Sequence, residues 1–564
     1  MKKRKTVLHS FLKQLRRGLF DPASGTDRFS MGDRSAPPGP KPREADRSED
    51  TGAAPGPSRL SGDPQRDVRA MEALFHAPRN GDFKTSVLRL NAGAGAGAGQ
   101  SFSVVVMYLQ GAADETKIDE TVVRPLKAAA AAKEKLTPST LHLYAAQTSP
   151  LSHAETYEQV AGALLDGSAA LIAPGERRAL LVPAARVEHR SVGDAKTELV
   201  IRGPHEGFVE SIETNVALLR KTIRSEHLVA EYVELEPMYR TKAAILYLGN
   251  VANEKLVDEV RRRVTGIDME YPANALVLQQ LIEDKPNSLL PTLTATERPD
   301  RAAGSLIDGG VIVLAGGTPF ALLCPTTFWT LFHTSEEIYS RLAYANFVRL
   351  VRLFAAFFAL FAPGVYISLV NFQPEMLPTD LMFHIAGNRE LLPFPTLVEI
   401  LLMEIAFELI REAGIRIPSV IGSTIGIVGA LILGQAAVQA NLVSPLLVIL
   451  VSITGLGSFA VPNQDLSYAI RLGRFVFLLL GAMLGFFGIS LGVVFMLGHM
   501  ASLQSFGVPF LAPLYPDMES NRDYIFRSSL WKQTAYGQFT RPRKKRRAIG
   551  AVRIWKNVWE ERSP

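Results

Sequence analysis

The sequence predicts a soluble α/β domain of two related subdomains, followed by an all-α polytopic membrane domain of about five spans. Three observations carry that prediction. A strand–turn–helix pattern and an apolar hairpin each occur twice before residue 335. Residues 346–516 are dominated by apolar runs. Within them, Pro393 to Asn441 joins an acidic apolar helix to one rich in Gly and Ala through a turn at Gly414 to Pro418.

The expected partition is a disordered tether over 1–74, subdomains over 75–190 and 191–340, the membrane part over 346–516 and a basic tail over 517–564. The tether contains PPGPKPREADRSEDTGAAPGPSR, too poor in large apolar groups to offset its ordering entropy. Lys13, Arg16 and Arg17 interrupt the apolar stretch at the start, which argues against a signal peptide. A short basic amphipathic helix or a frayed polar terminus fits instead. The net charge of +6 is modest and concentrated near the ends, as suits solvated tails or contact with anionic lipid. The lone Cys324 excludes an intrachain disulfide and any multi-cysteine metal site.

Asn91 to Gln100, NAGAGAGAGQ, has the wrong spacing for a phosphate loop and precedes a strand, so it reads as a flexible hairpin connection. Val104 to Glu120 aligns with Ala243 to Glu259, with Tyr108 on Tyr247 and Glu115 on Glu254. Each is a buried strand, a turn and an amphipathic helix. Leu164 to Pro183 matches Leu306 to Pro325, with Gly167 on Gly309 and Gly175 on Gly317. Val311 to Phe332 is apolar enough to pass for a membrane helix. Its counterpart carries charge at the turn, and Gly316-Gly317-Thr318-Pro319 is turn chemistry, so it is expected to be a β-hairpin. Between the copies, Phe208 to Arg224 has helical periodicity, with Arg220, Lys221 and Arg224 complementing the dipole of its last turns. Pro299 fits the first turn of a short helix. Arg202, Glu206, Glu210, Asn215, Arg220, Glu297, Arg298 and Asp300 are candidates for interdomain or assembly contacts, as ligand groups or as structural ion pairs.

Spans are expected at Leu350 to Phe372, Pro393 to Ala413, Ile417 to Val438, Leu442 to Val461 and Phe475 to Leu497. Ser505 to Pro516, SFGVPFLAPLYP, is apolar but broken by Pro, and reads as re-entrant or interfacial. Arg341, Arg349, Arg352, Arg411, Arg416, Arg471 and Arg474 put the soluble domain in the cytoplasm by the positive-inside rule. The basic tail should lie there too, which five full crossings forbid.

Glu404, Glu408 and Glu412 share one helical face, with Glu399 near it. Buried carboxylates can bond to neighbouring helices, or form a cation-favouring ring in a symmetric oligomer. Glu399, Glu404 and Glu408, with Gly422, Gly426, Gly429 and Gln435 of the next helix, are the candidates for a membrane core or pore. Those glycines suit close packing as well as a narrow lumen. No catalytic signature, metal spacing or cofactor motif is present, so neither an enzyme nor a cofactor is expected.

The stretches ELVIRGPHEGFVESIETNVALLRKTIRS, LIEDKPNSLLPTLTATERPD, LLPFPTLVEILLMEIAFELIREAGIRIP, IGIVGALILGQAAVQANLVSP and SFGVPFLAPLYP run in collinear order. Together they resemble the A subunits of GerA-type spore germination receptors over about residues 78 to 520. Val192-Gly193-Asp194 and His205 depart from that pattern, and both chain ends lie outside it. The resemblance implies a cytoplasmic two-part domain on a membrane bundle in the spore inner membrane. It implies a permease-like B subunit that senses nutrient, a lipoprotein C subunit, and an oligomeric, pentameric ion channel. The competing expectation is a non-conducting membrane scaffold that docks partner proteins.

Overall fold

A computed structural model describes residues 59–91, 101–132, 138–145, 151–185, 193–195, 197–235, 241–268, 274–390, 392–416, 432–516 and 523–547. Two five-stranded antiparallel sheets form its soluble part. The first has strands β1 (Phe83–Asn91), β2 (Ser101–Leu109), β3 (Ser152–Ala154), β4 (Ser168–Ile172) and β5 (Ala179–Pro183), in the order β1-β2-β4-β5-β3. Helices α1 (Pro64–Leu74), α2 (Arg124–Ala131) and α3 (Tyr157–Leu165) cover it. The period-2 pattern of β2 divides its side chains between two cores. Val104 and Val106 pack with Leu126, whereas Val105, Met107 and Leu109 pack with Met71 and Leu164.

The second sheet repeats this topology. Its strands β6 (Leu228–Glu234), β7 (Lys242–Leu248), β8 (Thr294–Thr296), β9 (Val311–Ala315) and β10 (Ala321–Cys324) run in the order β6-β7-β9-β10-β8. Helices α4 (Ile212–Thr222) and α7 (Pro299–Ile307) pack on one face; α5 (Glu254–Thr265) and α6 (Ala275–Ile282) pack on the other. The aligned glycines adopt matching left-handed conformations, φ +86° and +82° at Gly167 and Gly309, +79° and +81° at Gly175 and Gly317. A Cβ on Gly167 would come within 2.6 Å of the Ala112 carbonyl, so the turn admits only glycine. The apolar stretch after Val311 is a hairpin, as its turn residues predict.

The first subdomain begins earlier than expected. Residues 59–74, assigned from composition to the tether, belong to it: Leu60, Met71 and Phe75 are buried in its core. Buried Asp67 accepts from the Ser61 hydroxyl (2.7 Å) and the Tyr157 hydroxyl (2.6 Å). Burial, then the Asp67 hydrogen bond, push the Tyr157 phenol up to about 12.

A buried ion pair clamps the subdomains together. Arg220 Nε, on α4, donates to Asp82 Oδ2 at 2.6 Å, with both side chains almost fully buried. Asp82 Oδ1 accepts from Gly111 N at 2.6 Å, and the Gly81 amide donates to the Ala230 carbonyl at 2.9 Å. His76 and His227 face each other across the same boundary, Nε2 to Nδ1, at 3.3 Å.

The helical part comprises α8 (Leu342–Phe372), α9 (Thr379–Glu390), α10 (Thr396–Arg416), a helix over 432–439, α11 (Pro445–Phe459) and α12 (Gln464–Ser502). Two of these, α8 and α12, are long and apolar enough to cross a membrane; α11 is apolar but shorter. The third expected span lies mostly outside the described residues. Pro363 sits inside a continuous α8, whose Gly364 lies against the backbone of Phe477.

The fifth expected span is not one straight helix. Gly485 has φ +59° and ψ −144°, and α12 folds back there. Phe477 packs with Ile489, and Leu466 and Ile470 with Met500, so the two arms run antiparallel. Residues 464 and 502 therefore emerge at the same end of the bundle.

The Pro-broken segment is not membrane-embedded. Phe506, Val508 and Ala512 join the core of the second sheet, and Phe510 packs with Leu331 and Phe332. Phe506 N donates to Asp284 Oδ2 at 2.8 Å, and Arg263 stacks 4.3 Å over the Phe506 ring. Residues 523–547, part of the basic tail expected over 517–564, return along the soluble part. Arg543 N donates to the Val251 carbonyl at 2.9 Å, Thr540 Oγ1 to the Asp308 carbonyl at 3.1 Å, and Arg547 pairs with Asp308.

Phe506→Ala should destabilise the second subdomain by about 3–5 kcal/mol, read as a lower denaturant midpoint, because a buried ring leaves a cavity there. A lipid-exposed Phe506 would leave that midpoint unmoved. Burial, then the facing His227, hold His76 below the ordinary 6.5. Native His76 thus takes up protons less readily than the unfolded chain. The stability it contributes is full above pH 6.5 and lost as pH falls below that value. Urea midpoints measured on either side should show the loss, and His76→Gln should flatten it.

Candidate functional site

Helical spacing puts Glu404, Glu408 and Arg411 along the side of α10 that meets α11 and α12. On α12, Arg471 and Arg474 are three residues apart and so share a face. Thr454 and Ser458, four apart on α11, complete the contact.

Arg474 Nη1 lies 2.8 Å from Glu404 Oε2, and both side chains are almost fully buried. Thr454 Oγ1 accepts from Arg474 Nη1 at 3.2 Å and lies 3.4 Å from Glu404 Oε1. One turn closer to the soluble part, Arg471 pairs with Glu408, its Nε donating at 3.2 Å. One turn further, Arg411 Nη2 donates to Ser458 Oγ at 2.5 Å and to the Gly455 carbonyl at 3.2 Å, and its guanidinium lies 4.0 Å over the Phe459 ring. An isolated charge in such a setting costs several kcal/mol, so these groups hold three helices in one register.

A second ionic node joins the helices to the soluble part. Glu337 receives Arg349 Nε at 2.6 Å and Arg352 Nη1 at 2.5 Å from the first turns of α8. Arg349 also reaches Asp523 at 2.6 Å, and Arg527 donates to the Glu337 carbonyl. Half-buried His333 meets the Tyr524 carbonyl at 2.7 Å. Burial, then Arg349, lower the His333 pKa.

The residues singled out from sequence fall into three groups. Glu404 and Glu408 are brought together with basic partners of α12; Glu399 is buried towards the other end of α10, and Gln435 is exposed. Gly422, Gly426 and Gly429 lie outside the described residues. In the soluble part, Arg220 forms the subdomain clamp. Asn215 exchanges hydrogen bonds with the Val209 backbone (2.8 and 2.6 Å), and exposed Glu206 pairs with Lys221 at 2.5 Å. Arg202 and Glu210 are exposed, and the Glu210 carbonyl accepts from Gly317 N.

Glu297, Arg298 and Asp300 make a third group. Glu297 accepts from Thr197 N at 2.9 Å, while buried Arg298 bridges Asp300 (2.7 Å) and the Pro204 carbonyl (2.8 Å). Asp300 also accepts from Ser335 Oγ and Tyr339 Oη, both at 3.3 Å, beside Glu337 in the chain. The sequence marks Arg471 and Arg474 only as orientation signals, and it does not mark Glu337, Asp523 or Arg527. The signal for Arg474 was a charge inside an apolar run; nothing local marks Asp523.

The chain matches the Bacillus/Clostridium GerA spore germination protein family over residues 72–539. Spore germination protein KA of Bacillus subtilis (strain 168) is 38% identical over 434 residues, 76% of this chain and 79% of that protein. Spore germination protein B1 of the same organism is 37% identical, covering 72% of this chain and 84% of its own. The uncharacterized membrane protein YfkQ, also from that strain, is 34% identical over 76% of this chain and 84% of its own. The solved N-terminal domain of the A subunit of the Bacillus megaterium spore germinant receptor GerK3 aligns with 49% of this chain and 99% of that chain, at 24% identity and a TM-score of 0.37. By the extent of the family match and the identity to its curated relatives, this chain belongs to the GerA family of spore germination proteins.

Proposed function

We propose that this chain is the A subunit of a nutrient-responsive germination receptor and that it forms, with copies of itself, a cation channel whose opening starts germination by ion release. The carrying observation is the polar seam through α10, α11 and α12, set in helices that also present Ile405, Leu409, Leu456 and Leu472 outward. A bundle that only anchors gains little from such a seam, since apolar packing matches or exceeds buried ion pairs in stability. Family membership supports the germination role.

In this reading α8, α10, residues 417–438, α11 and the two arms of α12 pass the membrane in turn. The soluble part and residues 523–547 then share one face, and the arginines clustered there make it the cytoplasmic one. The membrane is the spore inner membrane. A permease-like B subunit senses nutrient, a lipoprotein C subunit completes the complex, and the A chains form a ring, a pentamer by family likeness. Glu404 is sealed in its pair with Arg474, whereas Glu408, though paired with Arg471, keeps part of its side chain exposed, so the lumen falls to Glu399, Glu408, Gln435 and the small-residue face with Gly422, Gly426 and Gly429. The chemistry is conduction rather than catalysis.

One observation favours the alternative, a non-conducting scaffold that docks partner proteins. The buried charges are already satisfied inside a single chain. Conductance separates the two readings. Gly426→Trp in a reconstituted complex should cut nutrient-triggered cation flux at least several-fold while the complex still assembles. Unchanged flux from that variant and from Glu408→Gln would remove the lumen from this face. Glu404→Ala should cost about 3–5 kcal/mol by stranding Arg474. Glu404→Ala combined with Arg474→Met should recover most of it in a thermal melt. Equal losses in the single and double variants would mean that the pair is not coupled.

A further inference from the structure

A cavity of about 560 Å³ opens where the soluble part meets the ends of α10, α11 and α12. Its wall includes Arg298, Arg301, Arg352, Arg411 and Arg471. Two carboxylates, Glu198 and Glu336, share the wall. Glu198 is already bound to Arg301 at 2.6 Å. Among the described residues, the hydrogen bonds of Arg411 all leave from Nη2. Arg298, Arg301, Arg352 and Arg471 are each paired with a carboxylate, on Asp300, Glu198, Glu337 and Glu408, so the group that faces an anion here is the Arg411 guanidinium, whose planar N–H fork matches phosphate oxygens.

The surroundings specify what carries the anion. Leu199 lines the cavity and is 80% exposed, and Ile201, two residues on, is 87% exposed. Phe459, on the same wall, is 68% exposed. Tyr468 beside it is half-exposed. A soluble anion needs no apolar rim, and a surface loop has no solvation reason to present Leu and Ile outward. Aromatic and aliphatic side chains beside arginines, at the ends of apolar helices, match the polar–apolar boundary of a bilayer.

We infer that this junction cavity binds the phosphate headgroup of an anionic phospholipid, with its acyl chains lying along Phe459 and the exposed Leu199–Ile201 loop. The lipid would bridge the second soluble subdomain, through the Leu199–Ile201 loop, to α10, through Arg411. The inference rests on these helices crossing a membrane, and it is independent of whether they conduct ions.

The test uses the full chain in nanodiscs of phosphatidylcholine, with or without a minor fraction of phosphatidylglycerol. Lipid retained by the chain after extraction is counted by native mass spectrometry. The wild type should retain phosphatidylglycerol in preference to phosphatidylcholine. Arg411→Gln should weaken that retention about five-fold, the share of one arginine at a lipid surface, and Arg411→Lys should restore most of it. Ala460→Trp, which fills the cavity without touching an ion pair, should abolish the preference while the melting temperature holds. A parallel arm supplies inorganic phosphate in phosphatidylcholine discs. If phosphate binds there with no preference for phosphatidylglycerol, the lipid assignment is overturned. Equal retention of both lipids by the wild type, or an unchanged preference in Arg411→Gln and Ala460→Trp, overturns it too. Ion flux is not measured, so the outcome is separate from that of the channel reading.

Discussion

A charge inside an apolar helix bundle has to find an opposite charge or a polar partner, and that constraint shapes the helical part of this protein. Glu404 and Arg474 could each be accommodated singly only at a cost of several kcal/mol. Their 2.8 Å approach, supported by Thr454, fixes how α10 and α12 face each other across α11. The Arg471–Glu408 pair and the Arg411–Ser458 contact repeat the same solution along the seam. Glycines allow the apolar surfaces to close around it: Gly364 lies against Phe477, and Gly457 against the Ala355 carbonyl.

The same constraint operates in the soluble part, where burial is achieved by duplication. Two sheets of identical strand order are each covered on both faces by helices, and neither sheet supplies the partner for the charge on Arg220 by itself. Asp82, from the other copy, does. The duplicated unit is therefore closed by a contact that belongs to neither repeat alone. A comparable division recurs at the junction, where Glu337 precedes α8 but is enclosed by Arg349, Arg352 and the distant Arg527.

The chain also returns to its starting side. The break at Gly485 sends the second arm of α12 back, and Phe506, Val508 and Ala512 then enter the core of the second sheet. Helix ends, the return segment and residues 523–547 thus converge at one level. A rearrangement of the second subdomain would meet α8 and the end of α12 there, through packed side chains rather than a flexible linker.

The sequence by itself determined the repeat, the hairpin after Val311 and the presence of an apolar helical region. Each of these is written locally, in strand alternation, turn glycines with positive φ, and long apolar runs. The aligned glycines were the strongest signal, because only backbone geometry explains their recurrence. The sequence also named Glu404, Glu408, Arg220 and Arg298 as residues needing partners, since buried charge is costly wherever it sits. Only tertiary structure supplied those partners, which lie from two residues away, at Asp300, to well over a hundred, at Asp82. Tertiary structure also decided that SFGVPFLAPLYP enters a protein core rather than lipid, and that α12 folds in two. Apolar content measures how strongly a segment leaves water, and it is the same for either destination; the destination is set by which surfaces the rest of the chain brings within reach.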